Sequence, residues 1–273
     1  LSEMPELPEV ETTLRGIESH ILNKKITSVI VRQPSLRWPV PARQLKEKLV
    51  NRTFSGIKRR GKYLLLESSQ EFLIIHLGMS GSLRIAQGKD LKKHDHIDIV
   101  FEDKSILRYC DPRRFGCFLW TDNIDNHFLL ESLGPEPLGN SFNGEYLFNL
   151  SRKRKVPIKN FIMNSKNVVG VGNIYANEAL FKSKIRPTRQ AGKVPLGKYE
   201  VLSREIVTIL KKSIDQGGTT LRDFVGSDNK PGYFKQQLEV YGRQGEECKI
   251  CSSILKNVTI GQRSSVYCPK CQK

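Results

Sequence analysis

Short apolar runs alternate with polar turns through the first half of the chain. The segments "KITSVIV" (25–31), "KYLLLES" (62–68), "FLIIHL" (72–77), "SLRIA" (82–86), "HIDIVFE" (96–102), "SILRYC" (105–110) and "FGCFLW" (115–120) have strand length and β-branched content. Gly, Asp, Asn and Ser punctuate them, so the pattern predicts a β-sandwich or barrel, with a hairpin around Asp103-Lys104. Ahead of these strands, "PEVETTLRGIESHI" reads as a helix starting at about Pro8, because Pro and acids suit a helix N-terminus. The periodicity changes at the Gly/Pro-rich "LGPEPLGNSFNGE" (133–145), the best boundary in the chain. Helical patterns follow in "NGEYLFNLSRKR", "IYANEALFKSKI" and "KYEVLSREIVTILKKSIDQ", the last with apolar residues at i, i+3, i+4 spacing. From about Tyr241 the chain is short, basic and Cys-bearing.

At 273 residues, the chain is long enough for two domains of ordinary size. It has no apolar run of membrane-spanning length and no signal-peptide pattern, so a cytoplasmic protein is expected. Charge adds a direction. The net charge is +17, and residues 151–273 carry 24 basic against 9 acidic side chains, whereas residues 1–150 carry 21 against 19. A basic half of this kind points to a polyanion, with nucleic acid ahead of membrane because no basic segment ends in an apolar anchor.

Four of the six cysteines form Cys248-x2-Cys251, sixteen residues, then Cys268-x2-Cys271. This is the spacing of a four-thiolate zinc site with no open coordination position, hence structural zinc; two disulfides are the alternative. Cys110 and Cys117 read as buried thiols. Arg263, near a turn of that module, suits either a phosphate contact or a solvated position. In "NVVGVGNIYANEALF", Gly170 and Gly172 allow a tight turn and Asn173 suits an N-cap, which would leave N–H groups for an anion. "SRKRK" (151–155) adds Arg152 to Lys155 as a backbone-gripping surface. Lys62 stands before an apolar strand, as a solvated cap or as a lysine held in a cleft, and His94 and His96 share one strand face. "HLGMSGS" and "DPRRFG" display Met79, Arg113 and Phe115 on turns; apolar tips gain nothing in water, but wedges in a base stack would.

Taken in order, "PELPEVET", "HLGMSGSLR", "KHDHID", "DPRRFG", "LGPEPL", "VVGVGNIYANEALF", "QGGTTLRDF", "NKPGYF", "VYGRQGEEC" and the four-Cys finger resemble the formamidopyrimidine-DNA glycosylase family from Met4 to Lys273. The resemblance implies an α+β multidomain fold: a β-sandwich with flanking helices (5–134), a helical domain with a helix–two-turns–helix motif (135–240) and a zinc finger (241–273). It implies one structural Zn2+ on Cys248, Cys251, Cys268 and Cys271. The expected activity is excision of oxidised purines from duplex DNA by base flipping, with strand cleavage by β,δ-elimination.

By the same resemblance, Pro5 as an N-terminal amine attacks the sugar and Glu6 is the general acid/base. Lys62 serves β-elimination and Arg263 δ-elimination. His94, Arg113, Arg154 and Asn173 contact DNA, while Met79, Arg113 and Phe115 fill the gap left by the flipped base. Residues 217–234 match a loop that closes over the oxidised purine. A monomer, acting at the bacterial nucleoid, is expected.

Two departures qualify this expectation. Leu1-Ser2-Glu3-Met4 precede Pro5, so in this chain its nitrogen is an amide; the leader reads as a remnant ahead of the true start. Asn164-Ser165 stand where the family carries an acid and an amide. The rivals are the sister branch acting on oxidised pyrimidines, a silent binder of damaged DNA if the leader is retained, and a zinc-ribbon RNA-binding protein.

Overall fold

Helix α1 (Leu7–Ile21) begins one residue before the predicted start. Glu6 takes the N-cap position with extended backbone, and its N–H donates to the Glu9 carboxylate at 3.0 Å. Pro8 falls in the first turn, where its missing N–H costs nothing. Val10, Leu14, Ile17 and Ile21 then face the core at helical spacing. The computed structural model describes residues 5–88, 91–217 and 238–273; apart from Gly217, the closing loop expected at 217–234 lies outside the described residues.

The described residues fall into two compact units, meeting in sequence at Glu131/Ser132. The first holds β1 (Ile26–Val31), α2 (Ala42–Leu49), β2 (Gly56–Arg60), β3 (Tyr63–Ser68), β4 (Glu71–His76), β5 (Ser82–Gln87), β6 (Asp95–Phe101), β7 (Ser105–Cys110) and β8 (Cys117–Thr121). These form two antiparallel four-stranded sheets, β1-β6-β7-β5 and β2-β3-β4-β8. Alternate residues of both meet in one core, among them Ile97, Ile99 and Leu107 from the first sheet and Leu64, Leu73 and Phe118 from the second. The predicted hairpin is present: Lys104 is left-handed (φ 67), and the Asp103 carboxylate accepts from the Ser105 N–H and hydroxyl.

On its other face, the first sheet buries charge. Arg108 donates from Nε to Asp98 Oδ1 at 2.8 Å and from a terminal nitrogen to Oδ2 at 2.9 Å, while Arg32 reaches Oδ2 at 2.6 Å. Burial alone would push the Asp98 carboxyl up, but the guanidinium hydrogen bonds outweigh it and hold the group below its ordinary range. Such a group stabilises the fold above its unfolded pKa, and the contribution is lost as pH falls through the depressed value. Asp98→Ala removes both short hydrogen bonds that the buried Arg108 makes to this carboxylate and leaves Asp95 at 4.0 Å as its nearest other carboxylate among the described residues, so unfolding free energy should drop by about 3 kcal/mol in a urea titration. A loss below ~1 kcal/mol would show that water reaches the pair.

The second unit contains α3 (Gly144–Ser151), α4 (Ile158–Met163), α5 (Asn173–Lys182), α6 (Leu196–Asp215) and the hairpin β9 (Lys256–Ile260)–β10 (Arg263–Tyr267). Asn143 caps α3, its side chain accepting from the Tyr146 N–H at 2.8 Å. Gly144 lets α3 approach α6, since a Cβ there would stand 2.4 Å from the Glu200 Cα. Tyr199, Leu202, Ile206 and Leu210 bury the inner face of α6. A smaller core of Val240, Cys248, Leu255, Val266 and Cys268 joins Phe181 of α5 to the hairpin module. Among the described residues no helix is long and apolar enough to cross a membrane.

Candidate functional site

In the first unit, Pro5 is half-buried and Glu6 is buried at the start of α1. Lys62 sits not on a strand but in the two-residue turn joining β2 and β3, after the left-handed Gly61 (φ 59). Such a turn fixes where the side chain leaves the backbone. His76, at the end of β4, pairs in register with Tyr63 and its ring lies 4.8 Å from the tyrosine ring. Its Nδ1 accepts from the Gly78 N–H at 2.9 Å. Burial, helped by the positive charges of Lys62 and Arg37, pushes its pKa down to about 4, so the ring is neutral at pH 7. The sequence carried no signal for His76, because its neighbourhood depends on strand register.

The turns carrying Met79, Arg113 and Phe115 follow β4 and β7. Arg113 and Phe115 are exposed, with the guanidinium 4.9 Å from the phenyl centroid, and Met79 is half-buried. His94 lies in the turn before β6, not on the strand face with His96; the two rings meet edge-on at 6.2 Å. Cys117 is buried and its thiol is pushed up to about 12 by burial, whereas Cys110 is half-buried.

In the second unit, Gly170 is left-handed (φ 81), and Gly172 rather than Asn173 is the N-cap of α5. Asn173 is the first helical residue, half-buried, with its side-chain amide 3.4 Å from the Tyr241 hydroxyl. Arg154 is exposed beside Lys153 and Lys155. Arg152 leaves that surface: it lies 3.8 Å over Phe148 and donates to the Val194 carbonyl at 2.9 Å. Asn164 is the C-cap residue of α4, and its side chain accepts from the Lys166 N–H at 3.0 Å.

Arg263 is exposed at the first position of β10, directly after the left-handed pair Gly261-Gln262. Two residues that the sequence does not single out hold this module, one gripping the hairpin and the other the backbone that leads towards it. Lys159 of α4, wholly buried, donates to the Ser264 carbonyl and the Ser265 hydroxyl, both at 2.7 Å. Glu178 of α5 accepts from three successive N–H groups, of Glu239, Val240 and Tyr241, at 2.8–3.0 Å. Nothing in their sequence neighbourhoods marks either as an anchor, because both partners are distant in the chain.

Ligand atoms of Cys248, Cys251, Cys268 and Cys271 all lie within 4.8 Å of one another. The Cys251 sulfur is 3.4 Å from those of Cys268 and Cys271, and Cys248 is 4.0 Å from Cys271. Four thiolates about 2.3 Å from one zinc ion would stand ~3.8 Å apart, so the donor set fits a tetrahedral structural Zn2+.

Family models match the chain in order: the formamidopyrimidine-DNA glycosylase N-terminal domain over residues 4–118, the formamidopyrimidine-DNA glycosylase H2TH domain over 133–225, and the zinc finger found in FPG and IleRS over 245–273. A formamidopyrimidine-DNA glycosylase of Cellvibrio japonicus is 57% identical over 272 residues, covering 99% of this chain and 100% of its own. The chain belongs to the formamidopyrimidine-DNA glycosylase family. A second member, from Methylococcus capsulatus, is 55% identical over 272 residues with the same coverage. Among solved structures, a Lactococcus lactis FPG mutant in complex with Fapy-dG containing DNA superposes with a TM-score of 0.91 at 35% identity, covering 98% of this chain and 100% of the other. MutM in complex with carbocyclic 8-oxo-G containing DNA gives 0.90 at 35% identity, with the same coverage. The four-cysteine cluster is the zinc finger that this family carries.

Proposed function

We propose that this chain is a DNA-formamidopyrimidine glycosylase and AP lyase that removes oxidised purines from duplex DNA, acting as a monomer in the cytoplasm at the nucleoid. What carries the reading is the start of α1 in a chain of this family. Pro5 and the buried Glu6 stand at the helix N-terminus, where the Glu9 carboxylate fixes the backbone between them and the first turn.

As the first residue of a chain, Pro5 would present a secondary amine. Attack on the sugar C1′ breaks its bond to the base, which leaves with a proton; loss of the amine proton and opening of the C1′–O4′ bond, with O4′ protonated, then give a cationic iminium, an electron sink that acidifies C2′ and expels the 3′ phosphate, then the 5′ one. Glu6 would exchange protons at the sugar. Lys62 would supply a proton in β-elimination and Arg263 would act in δ-elimination and grip phosphate. His94, Arg113, Arg154 and Asn173 would hold the DNA, and Met79, Arg113 and Phe115 would occupy the space of the flipped base. The zinc, with all four positions taken by sulfur, would hold the finger hairpin rather than react. A β-sandwich (5–134), a helical part (135–240) and a finger (241–273) would divide this work.

The test uses a chain beginning at Pro5 on duplexes with 8-oxoguanine or an oxidised pyrimidine, each opposite cytosine or adenine. Base release with strand cleavage is expected on 8-oxoguanine:cytosine, at least tenfold faster than on the pyrimidine lesions. A reversed order would move the chain to the pyrimidine branch, and binding without release would make it a silent binder.

A further inference from the structure

Met79, His94, Arg113 and Phe115 stand on three segments that are separated in sequence: the turn after β4, the turn before β6 and the turn after β7. One residue joins all three. Asp111 is wholly buried. Its Oδ1 accepts from the Ser80 hydroxyl at 2.9 Å and the Arg113 N–H at 3.3 Å, and its Oδ2 accepts from the Tyr109 hydroxyl at 3.0 Å and the Gly116 N–H at 2.9 Å. Its own N–H donates to the His94 carbonyl at 3.1 Å, and its carbonyl lies 2.8 Å from His96 Nε2. The turns also touch directly. A Cβ on Gly78 would stand 2.5 Å from the Phe115 carbonyl carbon and the Gly116 nitrogen, and one on Gly116 would stand 1.8 Å from the Tyr109 hydroxyl.

We propose that Asp111 is a positioning residue that holds the Met79 and Arg113–Phe115 turns in the arrangement that enters a base stack, before DNA arrives. This rests on the damaged-DNA reading above. Turns ordered during folding need not be ordered on binding, so the cost of fixing them is removed from the binding step.

The carboxylate is specifically required. Each oxygen receives one hydroxyl, which can rotate to accept instead, and one backbone N–H, which cannot. The amide of Asp111→Asn therefore sets a donor against the N–H of Gly116 in one flip, and in the other against the N–H of Arg113, which would keep only the Ser80 hydroxyl oxygen at 3.2 Å. Ser80→Ala removes one of the four donors, together with the hydroxyl oxygen that accepts from the Arg113 N–H at 3.2 Å, but leaves the carboxylate in place, and should produce the same defect in smaller measure.

The experiment measures binding of the full chain to duplexes carrying a tetrahydrofuran abasic analogue. That analogue is set opposite a fluorescent cytosine analogue or opposite a second tetrahydrofuran. With a base opposite, Asp111→Asn should bind about tenfold more weakly than the parent. The fluorescence change that reports unstacking of the orphaned base should shrink alongside. With no base opposite, there is nothing for the wedge to support, and the variant and parent should differ by less than about twofold. Ser80→Ala should fall between on the first duplex and match the parent on the second.

Equal weakening of Asp111→Asn on both duplexes would make Asp111 a general fold residue and overturn the proposal. So would unchanged binding and fluorescence in both variants. If Asp111→Asn does not fold, Ser80→Ala decides by the same pattern. A parent chain that binds undamaged duplex as tightly as either lesion duplex would overturn the damaged-DNA reading as well, which separates the two failures.

Discussion

Replacing Cys251 with Ala is expected to release the zinc and to cost residues 245–273 their ordered structure, while the β-sandwich stays folded. The finger has little else to hold it. Its hairpin is two five-residue strands, and a lone hairpin is marginal in water. Its apolar cluster is small, and two of its buried members are themselves zinc-ligand cysteines, Cys248 and Cys268. A structural zinc contributes on the order of 10–16 kcal/mol in modules of this type, more than such a cluster can replace. The sandwich core shares no residue with the finger cluster, so its thermal transition should remain. Metal content by atomic spectroscopy and hydrogen exchange across β9 and β10 read the result. A variant that keeps one zinc per chain and protected hairpin amides would show that three thiolates are sufficient.

The second large effect concerns one nitrogen. A chain beginning at Pro5 should become covalently linked to an abasic-site duplex in the presence of borohydride, and the same chain carrying Leu1–Met4 should not. In the longer chain the lone pair of the Pro5 nitrogen is shared with the preceding carbonyl, so it neither titrates nor attacks. Freed, it is an α-amino group with an ordinary pKa near 8, so about a tenth is neutral at pH 7. Its place two residues before α1 favours the neutral form further, because the positive end of the helix dipole opposes a second positive charge. The difference in trapping should be complete within detection. Equal trapping of both chains would transfer the nucleophile to a side-chain amine, with Lys62 the first to substitute.

Both forecasts draw on residues that the sequence displays openly, and the reason is local. Cys-x2-Cys pairs and Pro-Glu at a helix start declare their geometry within a few residues. The strands are equally legible wherever a short apolar run is bounded by polar turns, as in β3, β4, β6 and β7. Strand β2 was not, because "GIKRR" puts three basic residues where the alternation would show, and its strand character comes from pairing with β3. Helix α2 offered only Leu45 and Leu49 to a core, and α4 is a six-residue helix after Pro157. The sequence predicts the cap of α5 one residue late, at Asn173, because Asn is a better cap than Gly on intrinsic preference, whereas the backbone geometry places Gly172 there. Lys159, Glu178 and Asp111 show the firmest limit. Each acts on partners that only the folded chain brings near, so no window of sequence contains the evidence for them.

The side chain of Phe181 has a consequence for how this molecule can be taken apart. It belongs to a helix of the basic half, yet it fills the core of the zinc module, and the adjacent Glu178 holds the strand of backbone leading into that module. The finger is therefore not a cassette. Cut at Tyr241 and grafted elsewhere, it would leave behind Phe181 and Val240 and expose the apolar side of its own cysteines. The smallest transplantable piece must include α5, so recombination between relatives should preserve the pairing of these two segments more faithfully than their separation in the chain suggests.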